Sequence, residues 1–201
     1  MMKIGIFGGT FNPIHNGHIL LSEYCKKQVE LDKIILIPSY MPPHKTNYDL
    51  VSEKHRFNMC NIACMDLIGY EVSDIEITRK GKSYSCDTLT SLKKTYSDDE
   101  LYLIVGADMF LTLDQWKNPE IIFAKSKIIT IPRDSSDFEV LTHFYVKKLK
   151  PMGAEATILE NPVSSISSTF IRNNIENFSF INSFINKNVY EYIVKNNLYR
   201  K

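Results

Sequence analysis

Four short apolar runs restrict this chain more than any other feature: Lys3-Ile4-Gly5-Ile6-Phe7, Lys33-Ile34-Ile35-Leu36-Ile37, Leu101-Tyr102-Leu103-Ile104-Val105 and Lys127-Ile128-Ile129-Thr130-Ile131. Continuous apolar character over so short a length marks strands covered on both faces. Stretches of helical spacing separate them, and a strand–helix–strand connection of that length is a right-handed crossover between parallel strands. The expected fold is therefore α/β: a doubly wound, mostly parallel sheet with helices on both faces. No repeat, low-complexity run or linker interrupts the alternation, so residues 1–201 are read as a single domain with one sizeable core.

The first run leads into Gly8-Gly9-Thr10-Phe11-Asn12-Pro13-Ile14-His15-Asn16-Gly17-His18. The glycines are read as ending the strand where the backbone turns with no Cβ in the way. A helix is expected from near Gly17, with Leu20, Leu21, Tyr24, Cys25 and Val29 on its buried face. A helix start carries unpaired N–H groups and about half a positive charge, so a glycine-bordered turn leading into it is a cradle for phosphate. His15 and His18 admit three readings: metal ligands lacking nearby partners, a satisfied structural pair, or phosphate contacts. The adjoining turn and helix start favour the last. Neither the Walker pattern nor GxGxxG is present.

Further on, Ser39-Tyr40-Met41-Pro42-Pro43-His44-Lys45 is a proline-stiffened loop, with Lys45 either solvated or reaching an anion beyond the strand's end. Residues 52–67 read as a core helix with Phe57, Cys60, Cys64, Leu67 and Ile68 in one stripe, and Val72, Ile75 and Ile77 as a strand with an exposed face. Ser83-Tyr84-Ser85-Cys86-Asp87-Thr88-Leu89 opens another helix, capped by Ser83 or Ser85, whose N-terminus suits a carboxylate as well as a phosphate. Asp108, after Gly106-Ala107, is read as a ribose ligand, a partner of metal-bound water or a helix N-cap. Trp116 is either core or a stacking surface for an aromatic ring, and Arg133 is a lesser cleft candidate. In Ser164-Ser165-Ile166-Ser167-Ser168-Thr169-Phe170-Ile171-Arg172 the hydroxyls cap a helix. Arg172 in its first turns opposes the helix dipole, a conflict that a bound anion relieves.

His15-Asn16-Gly17-His18 after a strand resembles the H/T-x-G-H signature of the nucleotidyltransferases that pass an adenylyl or cytidylyl group from a nucleoside triphosphate. The loop ending at Lys45, the Ser83–Leu89 run, the spacing from Gly106 through Asp108 to Trp116, and Ile166–Arg172 are similar to further motifs of the bacterial nicotinate-nucleotide adenylyltransferases. Ser85 stands where that branch usually has Thr. The resemblance implies a Rossmann-like fold and transfer of AMP from ATP to nicotinate mononucleotide, giving deamido-NAD and pyrophosphate in NAD biosynthesis. It implies His15, His18, Lys45 and Arg172 as catalytic. It places ATP on Gly8, Gly9, Thr10, Phe11, Gly106, Asp108, Ile166, Ser167 and Ser168, together with both histidines and Arg172. The mononucleotide falls to Asn12, Lys45, Ser83, Tyr84, Ser85 and Trp116, with the backbone amides of the Ser83–Ser85 segment holding the ring carboxylate and Trp116 stacking on the ring. The implied cofactor is Mg²⁺ held mainly by substrate phosphates, with no protein metal ligand. Two alternatives stay open: another acceptor, such as the amide mononucleotide, and a nucleotide-binding module without transferase activity.

A net charge of +1 and a pI near 7.6 exclude a nucleic-acid or membrane-surface partner by bulk electrostatics. No run approaches the ~18 apolar residues of a membrane span, and no signal-peptide pattern opens the chain, so a cytoplasmic protein is expected. Cys25, Cys60, Cys64 and Cys86 lack zinc-ribbon spacing and read as reduced core residues. The oligomeric state is open, a homodimer among the options.

Overall fold

The apolar runs pair into one six-stranded sheet in the order β3-β2-β1-β4-β5-β6, every neighbouring pair parallel. The strands are β1 (Lys3–Gly9), β2 (Lys33–Pro38), β3 (Tyr70–Val72), β4 (Glu100–Gly106), β5 (Lys127–Ile131) and β6 (Ala156–Ile158). This is a computed structural model, and it describes residues 1–42, 50–160 and 166–200. Lys45, Ser164 and Ser165 lie outside the described residues.

The continuous apolar character of the strands has a direct consequence: alternate residues enter two separate cores. Ile34, Leu36, Tyr102 and Ile104 point to one face, with α1 (Asn16–Val29), α2 (Glu53–Cys64), α8 (Ser168–Asn173), α9 (Phe178–Ile181) and α10 (Lys187–Lys195). Ile35, Ile37, Leu101 and Leu103 point to the other, with α4 (Ser85–Thr95), α5 (Ala107–Phe110), α6 (Pro119–Lys125) and α7 (Ser135–Phe144). The doubly wound, Rossmann-like expectation is met. Cys25, Cys60 and Cys64 are buried and free in the first core, and Cys86 in the second.

The sequence reading fails in three places. Leu20 (45% exposed) and Ile68 (92% exposed) lie off their expected faces, because α1 turns Ser22 and Cys25 inward and α2 ends at Cys64. The expected strand through Ile75 and Ile77 is instead α3 (Ile75–Arg79), since β3 stops at Val72 and the chain turns at Asp74. Burial of α2 also includes Arg56, which falls in phase with Cys60 and Ala63.

Candidate active site

β1 continues through Gly9, with Gly8 opposite Ile37 and Gly9 opposite Pro38. The glycines are therefore strand residues and the reversal falls just after them, where Phe11 adopts a left-handed φ of 46° and the Asn12–Pro13 bond is cis. Lack of space explains Gly9 but not Gly8. A Cβ on Gly9 would lie 2.8 Å from Cζ of Phe11, whereas one on Gly8 would enter open volume.

His15 is the N-cap of α1. Its backbone N–H donates to Nδ1 of His18 (3.2 Å), the back-bonding half of a capping box. That contact fixes the tautomer: with Nδ1 accepting, a neutral His18 carries its proton on Nε2. The imidazoles stack at 3.7 Å between centroids, and Phe11 packs edge-on against His18 at 5.1 Å. Burial lowers the His15 pKa from 6.5 to about 4, so the ring is neutral at ordinary pH.

The turn carrying these rings is held from far along the chain. Arg172 Nη1 donates to the carbonyl of Asn12 (2.9 Å), Ser168 Oγ to the carbonyl of Pro13 (2.9 Å), and the Tyr199 hydroxyl to Asn12 Oδ1 (2.8 Å). Ser167 caps α8 by accepting from the Phe170 N–H, and Ile166 packs against Gly17. The expected clash between Arg172 and the helix dipole does not arise. Because α8 is only six residues long, Arg172 lies in its last turn, where a cation is favoured.

Beside this turn a cavity of about 610 Å³ opens at the carboxyl ends of β1 and β4. The order of strands reverses between them, the place where ligands collect in such sheets. Gly8, Gly9 and Thr10 line one wall, and Ser83, Tyr84, Ser85 and Trp116 another. Tyr84, not either serine, is the N-cap of α4. The reason is that Ser83 Oγ accepts from the Tyr40 N–H (2.9 Å), so that hydroxyl is used to hold the loop after β2. The Ser83 N–H donates to the Met41 carbonyl (3.0 Å) and the Tyr84 N–H to that of Lys82 (3.1 Å). This narrows the donor set: the amides that the helix start leaves without a backbone acceptor are those of Ser85 and Cys86, its first two residues. Trp116 is half-buried, its indole N–H donating to Thr112 Oγ1 (3.2 Å), and Lys117 lies 4.4 Å from the centre of the Tyr84 ring.

Gly106 is the N-cap of α5, and Asp108, in its first turn, forms an exposed ion pair with Arg133. Asp108 is thus not an N-cap, and it is not among the residues lining the cavity. Sequence reasoning overlooked Glu76, a cavity residue whose carboxylate accepts from the Thr88 hydroxyl (2.6 Å) at the start of α4. It also overlooked Tyr199 and the buried Arg56; the position of Arg56 on an otherwise apolar helix stripe is the signal that could have found it.

Residues 6–174 match the cytidylyltransferase-like family. A protein of Lachnoclostridium phytofermentans named "Probable nicotinate-nucleotide adenylyltransferase" is 37% identical over 199 residues, covering 99% of this chain and all of that one. One of the same name from Carboxydothermus hydrogenoformans is 40% identical, with 98% of each chain covered. The fold matches Plasmodium falciparum nicotinic acid mononucleotide adenylyltransferase complexed with NaAD, with a TM-score of 0.79 at 21% identity and coverage of 99% of this chain and 98% of that one. By this full-length similarity the chain belongs to the cytidylyltransferase-like family and, within it, to the nicotinate-nucleotide adenylyltransferases.

Proposed function

We propose that this protein transfers AMP from ATP to nicotinate mononucleotide, releasing pyrophosphate and forming deamido-NAD in NAD biosynthesis. The observation that carries the reading is the cavity joining the Gly8–Thr10 wall to the Ser85 helix start and Trp116, with the stacked histidines outside its lining, in the turn that follows Thr10. The acceptor's phosphate oxygen is already ionised at neutral pH, so no base or covalent intermediate is required. That oxygen bonds to the α-phosphorus as the bond from phosphorus to the bridging oxygen of the leaving pyrophosphate breaks.

The protein's part is alignment and stabilisation of developing charge. His18 donates from Nε2, while His15, neutral at its lowered pKa, contributes a dipole and packs the His18 ring in place. Arg172 holds the Asn12 backbone and brings positive charge to the same turn, and Lys45 is assigned a phosphate contact from its motif. The Ser85 amide receives the ring carboxylate and Trp116 stacks on the ring. Among the described residues no group of three or more His, Cys, Asp or Glu side chains could hold a metal ion. Imidazoles and a guanidinium form an anion site, which fits Mg²⁺ arriving on the triphosphate. When bound there, Mg²⁺ supplies neutralisation of phosphate charge. No helix among the described residues is long and apolar enough to cross a membrane; ATP as donor puts the activity in the cytoplasm.

The test is pyrophosphate release with ATP and Mg²⁺, comparing the acid and amide mononucleotides side by side. Faster turnover of the acid is the expected result. A preference for the amide would overturn the acceptor assignment, and no release with either would overturn the reaction.

A further inference from the structure

Arg56 is 1% exposed, and among the described residues it forms no ion pair with a carboxylate. Its guanidinium donates to three backbone carbonyls from three segments: Nε to Val51 (3.1 Å), Nη1 to Thr10 (2.8 Å) and Nη2 to Tyr40 (3.3 Å). Burial opposes the charge of Arg56 more than Glu53 and Glu76, both beyond ion-pair distance, favour it, and a packed apolar residue on the same stripe would give a more stable helix contact. The arrangement therefore calls for a purpose beyond stability. Two of the three acceptors identify it. Thr10 belongs to the wall of the cavity beside the histidine turn, and Tyr40 follows Ser39, a lining residue whose N–H donates to the Gly9 carbonyl (2.9 Å) of that wall. The Tyr40 N–H in turn donates to Ser83 Oγ, so the bond from Arg56 is passed on to the residue before the α4 start. A planar fork can hold such divergent carbonyls at once; an ammonium group, acting as a point charge, cannot reproduce the geometry.

We propose that Arg56 is a positioning residue for the adenylyl transfer, fixing from behind the cleft the separation between the wall that carries the triphosphate and the wall that carries the acceptor. The assignment rests on the reaction proposed above. Arg56 is not among the residues lining the cavity and acts through the carbonyls that it holds.

The experiment compares wild type, Arg56→Lys and Arg56→Gln well below each variant's melting temperature. Turnover, the equilibrium dissociation constant of each nucleotide alone, and amide hydrogen exchange are measured. A wall shift on the order of 1 Å costs up to about 100-fold in rate. The expected result is a kcat loss of about 10- to 100-fold in both variants, with each separate dissociation constant changed less than about threefold, since misalignment affects the reacting pair and not either partner alone. Exchange should accelerate in peptides covering Thr10 and Tyr40 and stay at wild-type rates in β4 and β5. Wild-type kcat in Arg56→Lys, or exchange raised uniformly over the sheet, would overturn the proposal and leave Arg56 a stability element. The exchange readout needs no turnover, so an inactive wild type would count against the reaction while the exchange pattern still decides whether Arg56 holds the walls.

Discussion

The two histidines sit in different environments. His18 has its Nδ1 occupied by the His15 N–H, so its other nitrogen is a donor, and His18→Ala should lower kcat by ~10²–10³, as for a lost charge-stabilising donor. Steady-state pyrophosphate release measures this; a variant keeping more than half of wild-type turnover would exclude His18 from the chemistry. His15 makes a prediction about stability. Its folded pKa is lowered to about 4, below the ordinary 6.5, so within that window the unfolded chain takes up a proton that the folded chain refuses. Its contribution is whole above the window and falls away as pH drops through it, by an amount on the order of 3 kcal/mol. Urea midpoints measured from pH 7 to 4 should decline, and His15→Asn should decline less steeply; parallel slopes would refute the assignment. The placement of both histidines at a helix start was legible in the sequence, because their spacing there is local. The sequence could not show that His15 is buried enough to stay neutral, nor that His18 packs between His15 and Phe11, since both depend on how the turn folds.

Elements with continuous apolar residues were legible almost to the residue: β5 spans the residues expected for it, and β1 overruns its expected end by only the two glycines. Short amphipathic elements were not. Val72, Ile75 and Ile77 fit a period-2 strand as well as a helix one turn long, and only the stop of β3 decides between them. Arg172 was placed early in a helix because nothing local shows how soon α8 ends. The end of β1 gives a contrast between neighbouring substitutions. Gly8→Ala adds a methyl group to open cavity volume, so it should fold normally and raise the KM for ATP. Gly9→Ala drives a methyl into the Phe11 ring, which packs on His18, so it should cost about 1–3 kcal/mol by overpacking and lower kcat as well. Melting curves and kinetics on the pair check this; equal melting temperatures for the two variants would contradict it.

At the scale of the molecule, the strand order places the carboxyl ends of β1 and β4 side by side and so fixes where the site must be. That much followed from the β/α alternation, whereas the closing contacts between chain ends did not, because they join residues as far apart as Asn12 and Tyr199. Tyr199→Phe removes the hydroxyl that holds the Asn12 amide and should cost about 1 kcal/mol, lowering the melting temperature by roughly 2–4 °C. The KM for the mononucleotide should rise with it, and an unchanged melting temperature together with an unchanged KM would show the contact to be idle. The division of the interior by the sheet has a last consequence, for the thiols. Cys25 and Cys64 are held at about 12, and Cys60 and Cys86 are also pushed up, so alkylation of the native protein must wait for an opening event. Cys86 alone reports from beneath α4, while the other three report from the opposite layer. The wild-type chain thus carries its own stopwatch for each side: the peptide that first carries the label, the one containing Cys86 or one containing another thiol, tells which layer breathes first.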